Sequence, residues 1–120
     1  MNIYESAEDY LERILILKQK KGNVRSIDIA NDMNFSKPSV SVAMKKLREN
    51  GYITCGEDGL LYLTDKGMKI ASETYEKHIV LTKVLMDLGV PEQIARTDAC
   101  KIEHDISKES FEAIKKHINK

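Results

Sequence analysis

Cys100, Glu103 and His104 stand at i, i+3 and i+4, a spacing that on a helix gathers sulfur, carboxylate oxygen and imidazole nitrogen on one face. Mixed donors of that kind suit Mn2+, Fe2+, Co2+ or Zn2+ rather than Ca2+ or Mg2+, which take mainly oxygen. Asp9 and Glu12 share a face at i and i+3 near the N-terminus, and His78 falls among apolar positions where an unpaired charge is disfavoured. Each residue also has a plainer use. Asp9 can complete a helix cap, Glu12 can pair with a lysine, and Cys100 can serve as a small buried hydrophobe. Glu103 and His104 can form a solvated helix end, and His78 can be a satisfied core histidine. Six such residues at paired helical spacings favour metal binding over six separate coincidences.

A second constellation is electrostatic. The chain has 19 basic and 19 acidic residues and no formal net charge, which by itself argues against a nucleic-acid binder. The distribution argues the other way. Residues 18–48 hold Lys18, Lys20, Lys21, Arg25, Lys37, Lys45, Lys46 and Arg48 against only Asp28 and Asp32, so the remainder carries the opposite excess. That is the pattern of a polyanion-facing segment joined to an acidic, cation-binding one.

The elements that must position these groups follow from caps and periodicity. Ser6 with Asp9 reads as a helix start, Tyr10, Leu11, Ile14, Leu15 and Leu17 recur at helical spacing, and Gly22 is the stop. Ser26 caps a short second helix through Met33, and Asn34-Phe35-Ser36 is a tight break. Ser36 caps a third helix with Pro38 in its first turn, Val40, Ala43/Met44 and Leu47 as the buried stripe, and Gly51 beyond its end. Two β-prone runs, Tyr52–Cys55 and Leu60–Leu63, flank Gly56-Glu57-Asp58-Gly59 and predict a hairpin. Thr64 caps a long fourth helix to about Leu88, Pro91 opens a fifth to about His104, and Ser107 caps a sixth to Ile118. The expected architecture is mainly α with a small β-hairpin: a winged helix-turn-helix over 1–64, then a helical metal-binding and dimerisation region over 65–120.

In a winged helix-turn-helix the helix after the turn enters the major groove and the hairpin lies along the backbone. Ser39 and Ser41 can then hydrogen-bond bases or phosphates, Val42 can touch a thymine methyl, and Lys45, Lys46 and Arg48 are placed for phosphates. Arg25, Ser36, Lys37 and Pro38 complete the expected DNA-facing set. Winged helices also serve as protein–protein modules, and solvated lysines are common on helices.

The stretches Ser26-Ile27-Asp28-Ile29-Ala30, Ser36-Lys37-Pro38-Ser39-Val40-Ser41, Met44-Lys45-Lys46-Leu47, Gly51-Tyr52-Ile53 and Leu63-Thr64-Asp65-Lys66-Gly67 resemble the diphtheria-toxin-repressor family of iron- and manganese-dependent regulators. Glu8-Asp9-Tyr10-Leu11-Glu12 and Cys100-Lys101-Ile102-Glu103-His104 resemble its two metal-binding segments, and the likeness runs in order over about residues 6–107. It implies a metal-dependent transcriptional repressor, a homodimer on a palindromic double-stranded operator, with Asp9, Glu12, His78, Cys100, Glu103 and His104 as ligands. The manganese-selective branch has an acid where this chain has Cys100, and the iron-responsive branch has methionine where it has Asp9. Thr82 and Arg96 stand near where the iron branch has an acid and a histidine. The resemblance therefore implies Mn2+ or Fe2+, with Co2+ or Zn2+ possible in vitro, and softness moves the thiolate toward Fe2+, Co2+ or Zn2+. Longer relatives of that family carry an SH3-like third domain, and the short form without it is the one expected here.

No apolar run approaches the ~18 residues of a membrane span, and two cysteines are too few for a disulfide framework, so a cytoplasmic setting is expected. Three rivals stand beside the metal-dependent repressor. A regulator sensing an organic ligand needs an apolar pocket. An enzyme with Cys100 and His104 as nucleophile and base lacks an evident oxyanion donor set. A protein-binding winged helix would show no salt-dependent DNA affinity.

Overall fold

A computed structural model describes residues 3–119, with side chains from Ala7 onward. The order is α1 (Ile3–Lys21), α2 (Ser26–Met33), α3 (Lys37–Glu49), β1 (Ile53–Cys55), β2 (Leu61–Leu63), α4 (Asp65–Asp87), α5 (Glu92–Ile102) and α6 (Lys108–Ile118). The expected fold class is the observed one. Two compact units divide the chain after Ser72, with α4 running from the first into the second.

In the first unit, Leu11, Ile14, Val24, Ile29, Val40, Ile53 and Leu61 are buried to within 2% of full burial. All but Val24, which lies in the turn between α1 and α2, supply the apolar side of an element, so α1, α2, α3 and the hairpin share one core. α1 starts at Ile3, earlier than the Ser6 start expected from the caps; nothing between residues 3 and 6 breaks a helix, and the Ser6 side chain lies outside the described residues. α2 is also capped one residue early. Arg25 is its N-cap, because the Asp28 carboxylate accepts from the Arg25 backbone N–H at 2.9 Å, as the acid of a capping box does. Ser36 does cap α3, accepting from Ser39 N–H, and Pro38 sits in the first turn, where its missing donor is harmless. Between α2 and α3, Asn34 takes the left-handed conformation at φ 59°, and its short polar side chain tolerates this better than most residues would.

β1 and β2 pair antiparallel, Ile53 opposite Leu63 and Cys55 opposite Leu61. A third segment joins them, since Leu61 N–H donates to the Val24 carbonyl at 2.8 Å. The hairpin is thereby fixed to the turn between α1 and α2. Its far end is fixed to α4. Thr64 Oγ1 accepts from Gly67 N–H at 3.1 Å and lies 2.7 Å from the Gly51 carbonyl, to which it donates. Gly67 is buried against the Tyr52 carbonyl, where a Cβ would collide with backbone oxygen, so glycine is the residue this approach permits.

In the second unit, Thr74, Leu81, Ala95, Ala99 and Phe111 are buried. α6 is capped by Ser107, which accepts from Ser110 N–H at 3.1 Å, and is tied to α4 by Lys115 Nζ to Glu76 Oε1 at 2.8 Å. α5 ends at Ile102, two residues short of the expected His104. Glu103 nevertheless keeps helical dihedrals (φ −59°, ψ −26°), so it retains its place on the helix face. No helix among the described residues is long and apolar enough to cross a membrane.

Candidate metal centre and nucleic-acid interface

The ligand-type residues of the second unit converge. The Cys100 sulfur, a Glu103 carboxylate oxygen and a His104 ring nitrogen lie within 4.8 Å of one another. From α4, His78 Nδ1 reaches Glu103 Oε2 at 3.1 Å, while His104 Nε2 stands 3.5 Å from the other carboxylate oxygen. The Glu103 side chain is fully buried and that of His104 is 2% exposed, so neither is a solvated helix end. Cys100 is exposed, which removes its reading as a small core hydrophobe.

A buried carboxylate between two imidazoles is costly unless positive charge accompanies it. A bound cation supplies that charge. Two ligands held at ~2.0–2.3 Å from one ion stand up to about 4.6 Å apart, so donors already this close need only small side-chain adjustments. Sulfur, oxygen and nitrogen together fit a divalent transition ion. Arg96 instead pairs along its own helix with Glu92 at 2.8 Å, and Thr82 offers only a buried hydroxyl, so neither resembles a further ligand.

In the first unit, Asp9 and Glu12 lie one turn apart on α1, Glu12 buried and Asp9 half-buried. Burial and the neighbouring Asp9 charge push the Tyr10 hydroxyl above its ordinary value.

α3 buries Val40, Met44 and Leu47 and leaves Lys37, Pro38, Ser39, Ser41, Val42, Lys45, Lys46 and Arg48 exposed. Val42 is 56% exposed, a placement a core-forming side chain does not need but a groove-facing one does. The Ser36 hydroxyl donates to Ser39 Oγ at 2.8 Å, which holds both small hydroxyls at the helix start. A cleft of about 200 Å³ separates α3 from the hairpin, with Ser41, Lys45 and Arg48 on its helix side.

Three braces were invisible in the sequence because they join distant positions. Arg25 Nε donates to the Asp58 carbonyl at 3.1 Å, linking the α2 cap to the hairpin tip. Lys18 Nζ sits 4.4 Å over the Tyr62 ring, and Lys66 Nζ 4.5 Å over that of Tyr52. Only the Arg25-type clustering of cations hinted that this end of the unit is built around charge.

Residues 2–59 match the profile of the iron-dependent repressor N-terminal DNA-binding domain, and residues 64–120 that of the iron-dependent repressor metal-binding and dimerisation domain. The transcriptional regulator MntR of Escherichia coli is 35% identical over 111 residues, 92% of this chain and 72% of that protein. An uncharacterized HTH-type transcriptional regulator of Methanocaldococcus jannaschii is 34% identical over 118 residues, covering 97% of this chain and 94% of that one. Among solved structures, the manganese regulator SloR superposes with a TM-score of 0.84 at 31% identity over 94% of this chain. A manganese-dependent transcriptional repressor in complex with manganese gives 0.86 at 25% identity, again over 94%. The chain spans about half the length of these two solved proteins, 53% and 52%. These are regulators, so the reading of Cys100 and His104 as a catalytic pair falls away. The chain belongs to the iron-dependent repressor family of metal-dependent transcriptional regulators.

Proposed function

We propose that this chain represses transcription as a cytoplasmic homodimer, binding a palindromic double-stranded DNA operator when a divalent transition metal, Mn2+ or Fe2+, is loaded. The observation that carries this reading is the convergence of Cys100, Glu103 and His104 donor atoms within 4.8 Å. When bound, the ion supplies positive charge to a buried carboxylate and a fixed bond geometry to its ligands. His78, Cys100, Glu103 and His104 hold it, and Asp9 and Glu12 of α1 add oxygen ligands. By that division residues 1–64 read DNA while residues 65–120 bind metal and dimerise.

α1 belongs to the DNA-reading part, so ligands on both parts make recognition depend on loading. Two α3 helices must span half-sites about 34–36 Å apart. Metal that binds the DNA-competent arrangement better shifts the population toward it. Ser39, Ser41 and Val42 read base edges, and Arg25, Lys37, Lys45, Lys46 and Arg48 contact phosphates, with Ser36 and Pro38 setting the helix start.

Dimerisation through α4 to α6 is supported by apolar side chains that the folded chain leaves in water: Ile79, Met86, Leu88, Ile94 and Ile102 are all exposed. Phe111 is buried in the folded chain and does not belong to that exposed set. The test is operator binding by chelator-treated protein with and without Mn2+, Fe2+ or Co2+, with sedimentation alongside. Metal-dependent binding by a dimer is expected; equal affinity in chelator and in metal overturns the reading.

A further inference from the structure

We propose that Lys18 and Arg25 form a second phosphate-contact station beside the hairpin, bracing an anionic wing through uncharged partners so that their own charge stays free for the DNA backbone. This rests on the DNA-binding reading above, adds Lys18 to it and gives Arg25 a second task. A hairpin laid along DNA meets phosphates. From Ile53 to Asp65, however, the chain holds Glu57, Asp58 and Asp65 and no basic residue. Glu57 and Asp58 are both exposed at the hairpin tip. Left to itself, such a wing is repelled by a polyanion. Cations from other elements flank it instead. Lys18 Nζ of α1 stands 4.4 Å over the ring of Tyr62, which is 45% exposed on β2. Arg25 Nε donates to the Asp58 carbonyl at 3.1 Å. At the α4 end, Lys66 Nζ stands 4.5 Å over the Tyr52 ring and donates to the Asn50 carbonyl at 3.3 Å.

Each of these partners is a ring face or a carbonyl oxygen, so the contact fixes the cation without cancelling its charge. Two neighbouring cations are used differently. Arg13 pairs with Asp32 at 3.1 Å and Lys21 with Asp28 at 2.7 Å, so carboxylates of the fold already meet their charge. Among the described residues, no carboxylate is ion-paired with Lys18 or Arg25. Arg25 commits one of its five N–H donors to Asp58, and four remain in a fork that matches phosphate geometry. Lys18 is half-buried and held over the ring, so its ammonium is placed in advance and loses little freedom on meeting a phosphate. Lys66 has two partners at the other end of the hairpin and completes the brace. The wing thereby approaches DNA on charge borrowed from α1 and from the cap of α2.

The experiment uses the full chain with saturating Mn2+ and a mixed-sequence DNA duplex, because a phosphate contact is independent of sequence. Three readouts are taken: affinity across a salt series, amide exchange at Gly56 and Gly59 of the hairpin tip, and melting temperature. Lys18→Met keeps the stem and removes the charge. It should lower the slope of log affinity against log salt by about one for each wing engaged, and weaken binding about fivefold at physiological salt. Lys18→Arg should restore the slope. Arg25→Lys keeps the charge but loses the fork. It should leave the slope unchanged, speed exchange at Gly56 and Gly59, and weaken binding about threefold, the worth of one exposed hydrogen bond. Lys18→Gln repeats the measurement should Lys18→Met fail to fold. An unchanged slope in the Lys18 variants, whether or not they melt lower, makes Lys18 a fold brace alone and overturns the inference while leaving the DNA reading intact. Parent protein whose DNA affinity does not depend on salt overturns both.

Discussion

His78 on α4 and Glu103 at the end of α5 meet at 3.1 Å, Nδ1 to Oε2, with the carboxylate wholly inside the protein. Two residues 25 apart in the sequence are joined through a group that is stable there only when its charge is balanced. Metal should therefore act as a folding ligand. At a hundredfold excess over its dissociation constant it adds about 2.7 kcal/mol, which raises the melting temperature by about 10 °C for a chain of this size. Glu103→Gln should abolish that rise. The metal-free variant should melt no lower than the metal-free parent, because it no longer buries a carboxylate. A variant that melts lower without metal, yet still gains the full increment with it, would show that Glu103 is structural only.

On α3 the prediction separates two kinds of contact. Val42 is apolar, exposed and near the helix start, so Val42→Ala should cost about 1 kcal/mol on the operator and little on unrelated DNA. Lys45→Ala should weaken binding to both alike and reduce the slope of log affinity against log salt by about one. A salt titration of both variants on operator and scrambled duplex decides it. A Lys45 variant with an unchanged salt slope would remove that lysine from the phosphate set.

A pH dependence follows from α2. The Lys21 ammonium at 2.7 Å, and then the Arg25 backbone N–H at 2.9 Å, hold the Asp28 carboxyl below its ordinary value of 3.8. A depressed folded value means that the ionised group stabilises the fold. The contribution is complete above 3.8 and is lost as pH falls through the lower folded value. Asp28→Asn should cost about 0.5–1 kcal/mol at neutral pH, in line with an acid at a helix N-terminus. That difference should close in acid, as denaturant midpoints across pH would record. A gap of constant size would place its origin in packing.

Much of this architecture was legible because it is written in local chemistry. Ser36, Thr64 and Ser107 cap the helices that the spacing predicts, and the stripe Val40, Met44, Leu47 is the face α3 buries. Where the reading slipped, a competing interaction had decided the matter. Ser26 has the type of a cap, but Asp28 accepts from the Arg25 N–H and draws the cap back by one residue. α5 stops at Ile102 rather than His104, yet Glu103 keeps helical dihedrals and so its place on the helix face. The ligand-type residues of α5 were marked by spacing alone. Their burial was not, because whether Glu103 faces water or protein depends on α4 bringing His78 across from 25 residues away.

Cys100 is the position at which this chain departs from an all-oxygen-and-nitrogen donor set, and its sulfur lies within 4.8 Å of donor atoms of Glu103 and His104. Replacing sulfur by a carboxylate at that point changes the hardness of one ligand and leaves the rest of the cluster in place. Cys100→Glu should therefore move the response toward Mn2+ relative to Co2+ or Fe2+, since hard carboxylate suits Mn2+ and thiolate the softer ions. The α3 surface is untouched, so affinity for operator at saturating metal should not change. His104→Ala is the contrasting variant. It removes a buried nitrogen donor that neither hardness nor solvent can replace, and every metal should weaken by about tenfold or more. Midpoint concentrations of Mn2+ and Co2+ for operator binding, measured for the parent and both variants, give the comparison. The expected result is a changed Mn2+/Co2+ ratio for Cys100→Glu and a parallel loss for His104→Ala. An unchanged ratio in the first variant would mean that the sulfur does not touch the metal, and that the site is completed by Glu103, His104 and His78 without it.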